Sequence, residues 1–196
     1  MPLLLLAMPA LVATQAPGAA PSFDPFQEQL EAIPAALIDG KRGAMPALMA
    51  KAVAGWEQTK PAARKAMSEA EVAFIDKQLK AMQKMKPLEQ ALGALGISST
   101  ISRFQSRGQK QDLLQAGRLV MSAWCGVDAG QWEPFPNVAD GFKPLIAQDN
   151  GRHTVAVLSV QDALKRLQES QTKRQTLPAK KALKDLLGLV DVLRKS

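Results

Sequence analysis

Residues 68–95 constrain this chain most, because they carry its longest apolar stripe at helical spacing. Ile75, Leu79, Met82, Met85, Leu88, Leu92 and Leu95 recur at steps of three and four, the period that lines one face of an α-helix. Ser68 and Glu71 open the stretch three residues apart, so hydroxyl and carboxylate can each satisfy a free backbone donor. Asp76, Lys77, Lys80, Lys84 and Lys86 fall on the other face and are expected in water. A helix over this span would be about 40 Å long. It cannot bury its stripe alone, so other helices must pack on it. Pro87 removes one backbone donor inside the stripe, which predicts a kink near residues 83–86.

Further helical patterns lie on both sides. Asp24 and Pro25 read as a cap and first-turn proline for a helix through Phe26, Leu30, Ile33 and Leu37. After the turn signal Gly40-Lys41-Arg42-Gly43 the pattern resumes with Met45, Leu48, Met49, Val53 and Trp56. It is expected to stop at Thr59-Lys60-Pro61, since proline disfavours helix in the residue before it. Another helix reads Leu113, Leu114, Gly117, Val120, Met121 and Trp124, ending near Gly126. Two more are expected from Ser159 through Leu164 and Leu167, and from Pro178 to Leu193 with Leu183, Leu186, Leu187 and Val190 inward.

Between them, residues 126–152 break the pattern with Gly130, Pro134, Pro136, Gly141, Pro144 and Gly151. Asp149-Asn150-Gly151 is a strong turn signal, and residues 153–158 form the one β-branched run. The fold expected is therefore mostly α, an antiparallel bundle of four or five helices with a small β-hairpin near residues 142–158. Residues 23–196 should form this single domain, large enough to build a core without disulfides or metal.

Residues 1–22 read differently. An apolar run over residues 1–12 is too short to span a bilayer, and Ala13, Thr14, Ala16, Gly18, Ala19 and Ala20 follow it. The segment resembles the apolar core and cleavage zone of a secretory signal, although no Lys or Arg precedes Lys41 and Pro17 and Pro21 disfavour cleavage after Ala16 or Ala20. A periplasmic or secreted protein is expected, with no transmembrane helix.

The net charge of +7 raises the question of nucleic acid. Acids interrupt most of the basic residues, as Asp76 does four positions before Lys80, so these positions read as solvated helix faces. The acid-free basic stretch is Arg103, Arg107 and Lys110, too little for a nucleic-acid footprint.

Catalytic motifs are missing. The sequence contains no phosphate loop, dinucleotide fingerprint, nucleophile elbow, zinc helix or calcium loop. With one Cys and one His it cannot assemble a Cys/His zinc site. Three weaker constellations remain. Cys125 and His153 bracket the irregular segment that holds Asp140 and Asp149, and a thiol with an imidazole base could act as a nucleophile. A buried Cys beside Met121 and Trp124 is the plainer expectation. Met45 with Met49, Met82 with Met85, and Met121 with Cys125 each stand about one turn apart, and such soft ligands suit Cu(I). The same positions are already assigned to the core by the helical period. Finally, Trp132, Phe135 and Phe142 could form a partner surface or a lid over one end of the bundle.

No catalytic, cofactor or metal residue is therefore assigned. The function expected is that of a non-enzymatic accessory or binding protein of the cell envelope. Its partner would be a protein or small ligand met through residues 126–152 and a neighbouring basic face. A copper-binding bundle using Met and Cys side chains is the alternative, and a Cys125-dependent enzyme the third reading.

Overall fold

The computed structural model describes residues 22–105, 109–132, 138–147, 151 and 154–195. Among them the chain forms eight α-helices and a short 3-10 turn, with no strand. The helices are α1 (Asp24–Ile38), α2 (Met45–Ala66), α3 (Glu69–Met82), α4 (Pro87–Ser102), α5 (Gln109–Asp128), α6 (Val138–Ala147), α7 (Thr154–Thr172) and α8 (Thr176–Lys195). The all-α class is as expected. The count exceeds four or five because local punctuation cuts the long apolar patterns into shorter rods.

The principal stripe shows this best. Ser68 caps α3 as expected, its hydroxyl accepting from the Glu71 amide while the Glu71 carboxylate accepts from the Ser68 amide at 2.8 Å. The stripe is broken outright rather than kinked. Lys86 takes an extended backbone, ψ 157°, and Pro87 starts α4 in its first turn, where its missing N–H costs nothing. The Glu89 carboxylate accepts from the Lys86 amide at 2.9 Å, and Gln90 Nε2 donates to the Met82 carbonyl at 3.0 Å, tying α4 to the end of α3. The break resets the register, so Met85 and Leu92 are exposed while Ala91, Ala94, Ile97 and Ile101 turn inward.

Three other expectations are corrected. Asp24 does not cap α1: no side-chain cap bond is made there, and Asp24 instead accepts from Gln105 Nε2 at 3.0 Å. Pro61 does not stop α2, which continues to Ala66 with Pro61 on its exposed side, where water can satisfy the carbonyl the proline leaves free. The hairpin near residues 142–158 is replaced by the end of α6 and the start of α7. Val138, Phe142 and Leu145 are spaced for a helix and are buried, as are Val160, Ala163 and Leu167. Burial at that period overrides the β-branched local preference. Asp149 and Asn150 lie outside the described residues.

Two apolar cores result. The first joins α1–α4 around Phe23, Phe26, Leu30, Trp56, Ile75 and Met82, with the Phe26 and Trp56 rings 5.3 Å apart. The second joins α5–α8 around Val120, Phe142, Val160, Leu183 and Leu186. Two small clusters stitch the halves together: Leu37, Ala91 and Cys125, and Ile38, Leu95 and Met121. Helix ends are closed by local devices. At the end of α1, Gly40 has φ 73° and the Lys41 amide donates back to the Ala36 carbonyl at 2.8 Å. At the end of α7 the same closure, Gln175 to Ser170 at 2.8 Å, forces Arg174 to φ 52°.

Candidate functional site

The seam between the two halves carries the unusual chemistry. Arg118, on the inner side of α5, is 3% exposed. Its Nη1 donates to the Ser98 carbonyl at 3.2 Å and to Ser98 Oγ at 3.1 Å, and its Nη2 donates to Gln115 Oε1 at 3.1 Å. Gln27 Nε2 on α1 donates to the same Ser98 carbonyl at 3.2 Å. Glu31, one turn further along α1, stands 4.0 Å from Arg118 Nη1 and accepts a long bond from Ser98 Oγ at 3.4 Å. The ion pair is thus Coulombic without a direct hydrogen bond.

Electrostatics here are set by burial. Removal from water pushes the Glu31 carboxyl above the ordinary glutamate value, and the attraction of Arg118, Arg194 and Ser98 offsets only part of that rise. Burial likewise lowers Arg118 despite the carboxylate beside it. A strained pair of this kind is weak evidence of stabilisation.

Beside this pair opens a groove of about 630 Å³ between α1 and α8, floored by α5. Its floor is apolar, with Leu113, Leu114, Gly117 and Met121 from α5 and Ile38, Leu187 and Val190 at the sides. The α1 wall carries Glu28, Glu31 and Asp39, and the α8 wall carries Lys184, Asp191 and Arg194. Arg194 reaches across to Glu28 at 3.2 Å and closes one end. Leu187 packs on the cluster of Ile38, Leu95 and Met121 at the other, so α1 and α8 run antiparallel. Gly188 stands on the rim this groove shares with the neighbouring exposed face of Leu158 and Val192, and a Cβ there would meet nothing within 4 Å. A separate polar cleft of about 610 Å³ is lined by Arg118 itself, with Ser99, Ser102 and Gln105 of one segment and Gln111, Asp112 and Gln115 of the other.

The residues singled out from the sequence fall elsewhere. Cys125 is fully buried against Leu37 and Ala91, and burial, with a smaller contribution from Asp128, pushes its thiol up to about 12. It is not a poised nucleophile. His153 lies outside the described residues, as do Phe135 and Arg107, and the described part of Lys110 is its place in α5. Met45, Met49 and Met82 are packed in the first core, Met121 sits at the seam and Met85 is on the surface, so three packing environments separate these sulfurs. Among the described residues no group of three His, Cys, Asp or Glu side chains converges as a metal site would. Phe142 is buried in the second core and Trp132 packs against it, its carbonyl accepting from Gln171 Nε2 at 3.3 Å. Both face inward. Asp76, expected in water, accepts from Trp56 Nε1 and from Lys60 Nζ, each at 2.6 Å.

The ion-pair network was missed because Ser98 lies 67 positions from Glu31 and 20 from Arg118 in sequence. One signal was present: Arg118 occupies the inner arc of α5, between Leu114 and Met121, where a helical period places core residues. No helix among the described residues is long and apolar enough to cross a membrane. Comparison with family models, with curated proteins and with solved structures finds no match to this chain.

Proposed function

We propose that this chain is a non-enzymatic binding protein of the cell envelope, and that its ligand occupies the groove between α1, α5 and α8. One observation carries the reading: an open, apolar-floored groove of about 630 Å³ with charges on both rims, a size and character common to ligand sites. The binding surface is thereby moved from residues 126–152, whose described aromatics point into the core, to the seam between the halves. The envelope setting rests on the apolar run of residues 1–12 and the small residues after it. The copper-binding alternative has less behind it, since its sulfurs are dispersed among hydrocarbon neighbours. A Cys125 enzyme has least, with its thiol buried and held protonated.

The test is a neutral, environment-sensitive apolar dye such as N-phenyl-1-naphthylamine. Its fluorescence should rise on the native protein and fall back on Gly188→Trp, whose side chain fills open space on the groove's rim without a backbone clash. Circular dichroism should show the variant folded. Undiminished dye binding to a folded Gly188→Trp protein rejects the groove. Fractionation of producing cells followed by N-terminal sequencing tests the envelope assignment, and a cytoplasmic protein retaining Met1 or Pro2 contradicts it.

A further inference from the structure

We infer that the polar cleft between the end of α4 and the start of α5 binds a small neutral polyhydroxyl compound, of monosaccharide or disaccharide size, at a site separate from the groove. Unmet hydrogen bonding is the first ground. Arg118 is 3% exposed and lines this cleft, and its Nε makes no hydrogen bond. Its two terminal nitrogens are already engaged, Nη1 by Ser98 and Nη2 by Gln115. Two acceptors of the same lining are likewise buried and without a partner, Gln105 Oε1 and Gln111 Oε1. A buried donor or acceptor left unmade costs free energy, and native proteins keep few of them. Of the five such side-chain atoms among the described residues, three belong to the lining of this one cleft of about 610 Å³.

The mixture of donors and acceptors is the second ground, and it selects the class of ligand. Gln105 Nε2 donates to Asp24 at 3.0 Å, which fixes Gln105 Oε1 as an acceptor. Gln115 Oε1 accepts from Arg118, which fixes Gln115 Nε2 as a donor. Asp112 can only accept, whereas Arg103 and the Arg118 Nε–H can only donate. The terminal torsion of a glutamine is soft, so Gln111 can turn its amide into the cleft. A phosphate or carboxylate brings acceptors alone and would leave Gln105 and Asp112 unmatched. An ammonium brings donors alone and would leave both arginines unmatched. A hydroxyl donates and accepts, so a ring or chain of hydroxyls can meet both kinds. Charge agrees: Arg103 and Arg118 are set against Asp112 in the lining and Glu31, 4.0 Å from Arg118, so no net formal charge calls for an ion.

The side-chain Nε–H resonance of Arg118 in the isotopically labelled full chain reads the site directly. Glucose, galactose, sorbitol and sucrose are titrated against it, with inorganic phosphate and glycine as ionic and zwitterionic counterparts. At least one polyol should shift the resonance saturably, with a midpoint of about millimolar, the strength a ligand of this size reaches without a large apolar contact. Gln111→Met keeps the length of the side chain and removes the unpartnered oxygen. It should weaken that polyol about threefold to tenfold, the worth of one hydrogen bond, while the apolar dye's response in the groove stays unchanged. Circular dichroism should show it folded, and Gly188→Trp should bind the polyol as the native chain does. Shifts that rise linearly with every polyol mean that water alone fills the cleft, and overturn the inference. Saturation by phosphate or glycine alone overturns it too, by making the cleft an ion site. So does undiminished affinity in a folded Gln111→Met protein. None of these outcomes bears on the groove, which the dye tests by itself.

Discussion

Arg118→Met separates what the buried ion pair does for the fold from what the surrounding core does. The methionine keeps most of the aliphatic stem and discards the guanidinium. Breaking a buried pair by removing one member costs about 3–5 kcal/mol, because the survivor remains desolvated and unpaired. Two features of this site place the loss near the lower end. The Ser98 carbonyl keeps its bond from Gln27 at 3.2 Å, and Glu31 at 4.0 Å was never directly hydrogen-bonded to Arg118. We expect a loss of about 3 kcal/mol near pH 8, a large share of an ordinary domain's stability.

The pH dependence carries the sharper test. Burial already raises Glu31 in the folded protein, so the folded state holds this proton more tightly than the unfolded chain does. Its contribution to stability therefore falls as pH rises from its unfolded value of 4.5 through its raised folded value. Without Arg118 the folded value rises further and the falling limb extends to higher pH. Urea unfolding followed by far-UV circular dichroism should show the variant's deficit at pH 5 smaller than at pH 8 by about 1 kcal/mol or more, close to the free energy of a tenfold change in proton affinity. Adding Glu31→Gln to Arg118→Met should recover part of the loss at pH 8. A deficit that is the same at both pH values, or no recovery in the double variant, refutes the assignment of strain to this pair.

Other sites give independent predictions. Gly188→Ala should stabilise by about 0.8–1 kcal/mol through helix propensity alone, since its new methyl meets nothing. Gly93→Ala should fail to gain as much or should destabilise, because its Cβ would lie 2.8 Å from the buried Met82 side chain; equal thermal midpoints for the two variants would contradict the packing described. Arg174→Gly should gain about 1 kcal/mol by relieving the left-handed backbone at the end of α7, measurable by chemical denaturation. Cys125 should resist a thiol reagent in native protein at pH 8 and react at once in denaturant; rapid native labelling would show the thiol to be accessible. For Asp76, burial acts to raise the carboxyl, but the bonds from Lys60 and Trp56 outweigh it and hold it below the ordinary aspartate value. Its contribution is present above the unfolded value of 3.8 and lost as pH falls through the lower folded one, so Asp76→Asn should flatten the acid limb of the stability profile.

What could be read from the sequence was local. The Ser68–Glu71 cap, the inward stripes of α5 and α8 and the burial of Cys125, Met45 and Met49 all follow from spacings of three and four residues. Expectations failed where one local rule opposed another. The apolar period runs unbroken through residues 75–95, yet Pro87 is better placed in the first turn of a new helix than inside an old one, and the chain breaks. Pro61 has the same intrinsic bias but lies on an exposed arc of α2, and there the helix continues. Thr154, Val155 and Val157 favour strand singly, while Val160, Ala163 and Leu167 bury only as a helix against α8. The site lay further out of reach. Glu31, Ser98 and Arg118 come from three helices, and their meeting depends on how the two cores dock.

The groove between α1, α5 and α8 is the proposed binding surface. Amide chemical-shift mapping of the isotopically labelled protein, titrated with the neutral apolar dye, addresses it most directly. Saturating shifts are predicted at Ala32, Ala35, Leu114, Gly117 and Leu187, which line the groove from all three helices. Shifts confined to the exposed apolar patch of Val155, Leu158 and Val192, or no saturable shifts at all, would contradict it.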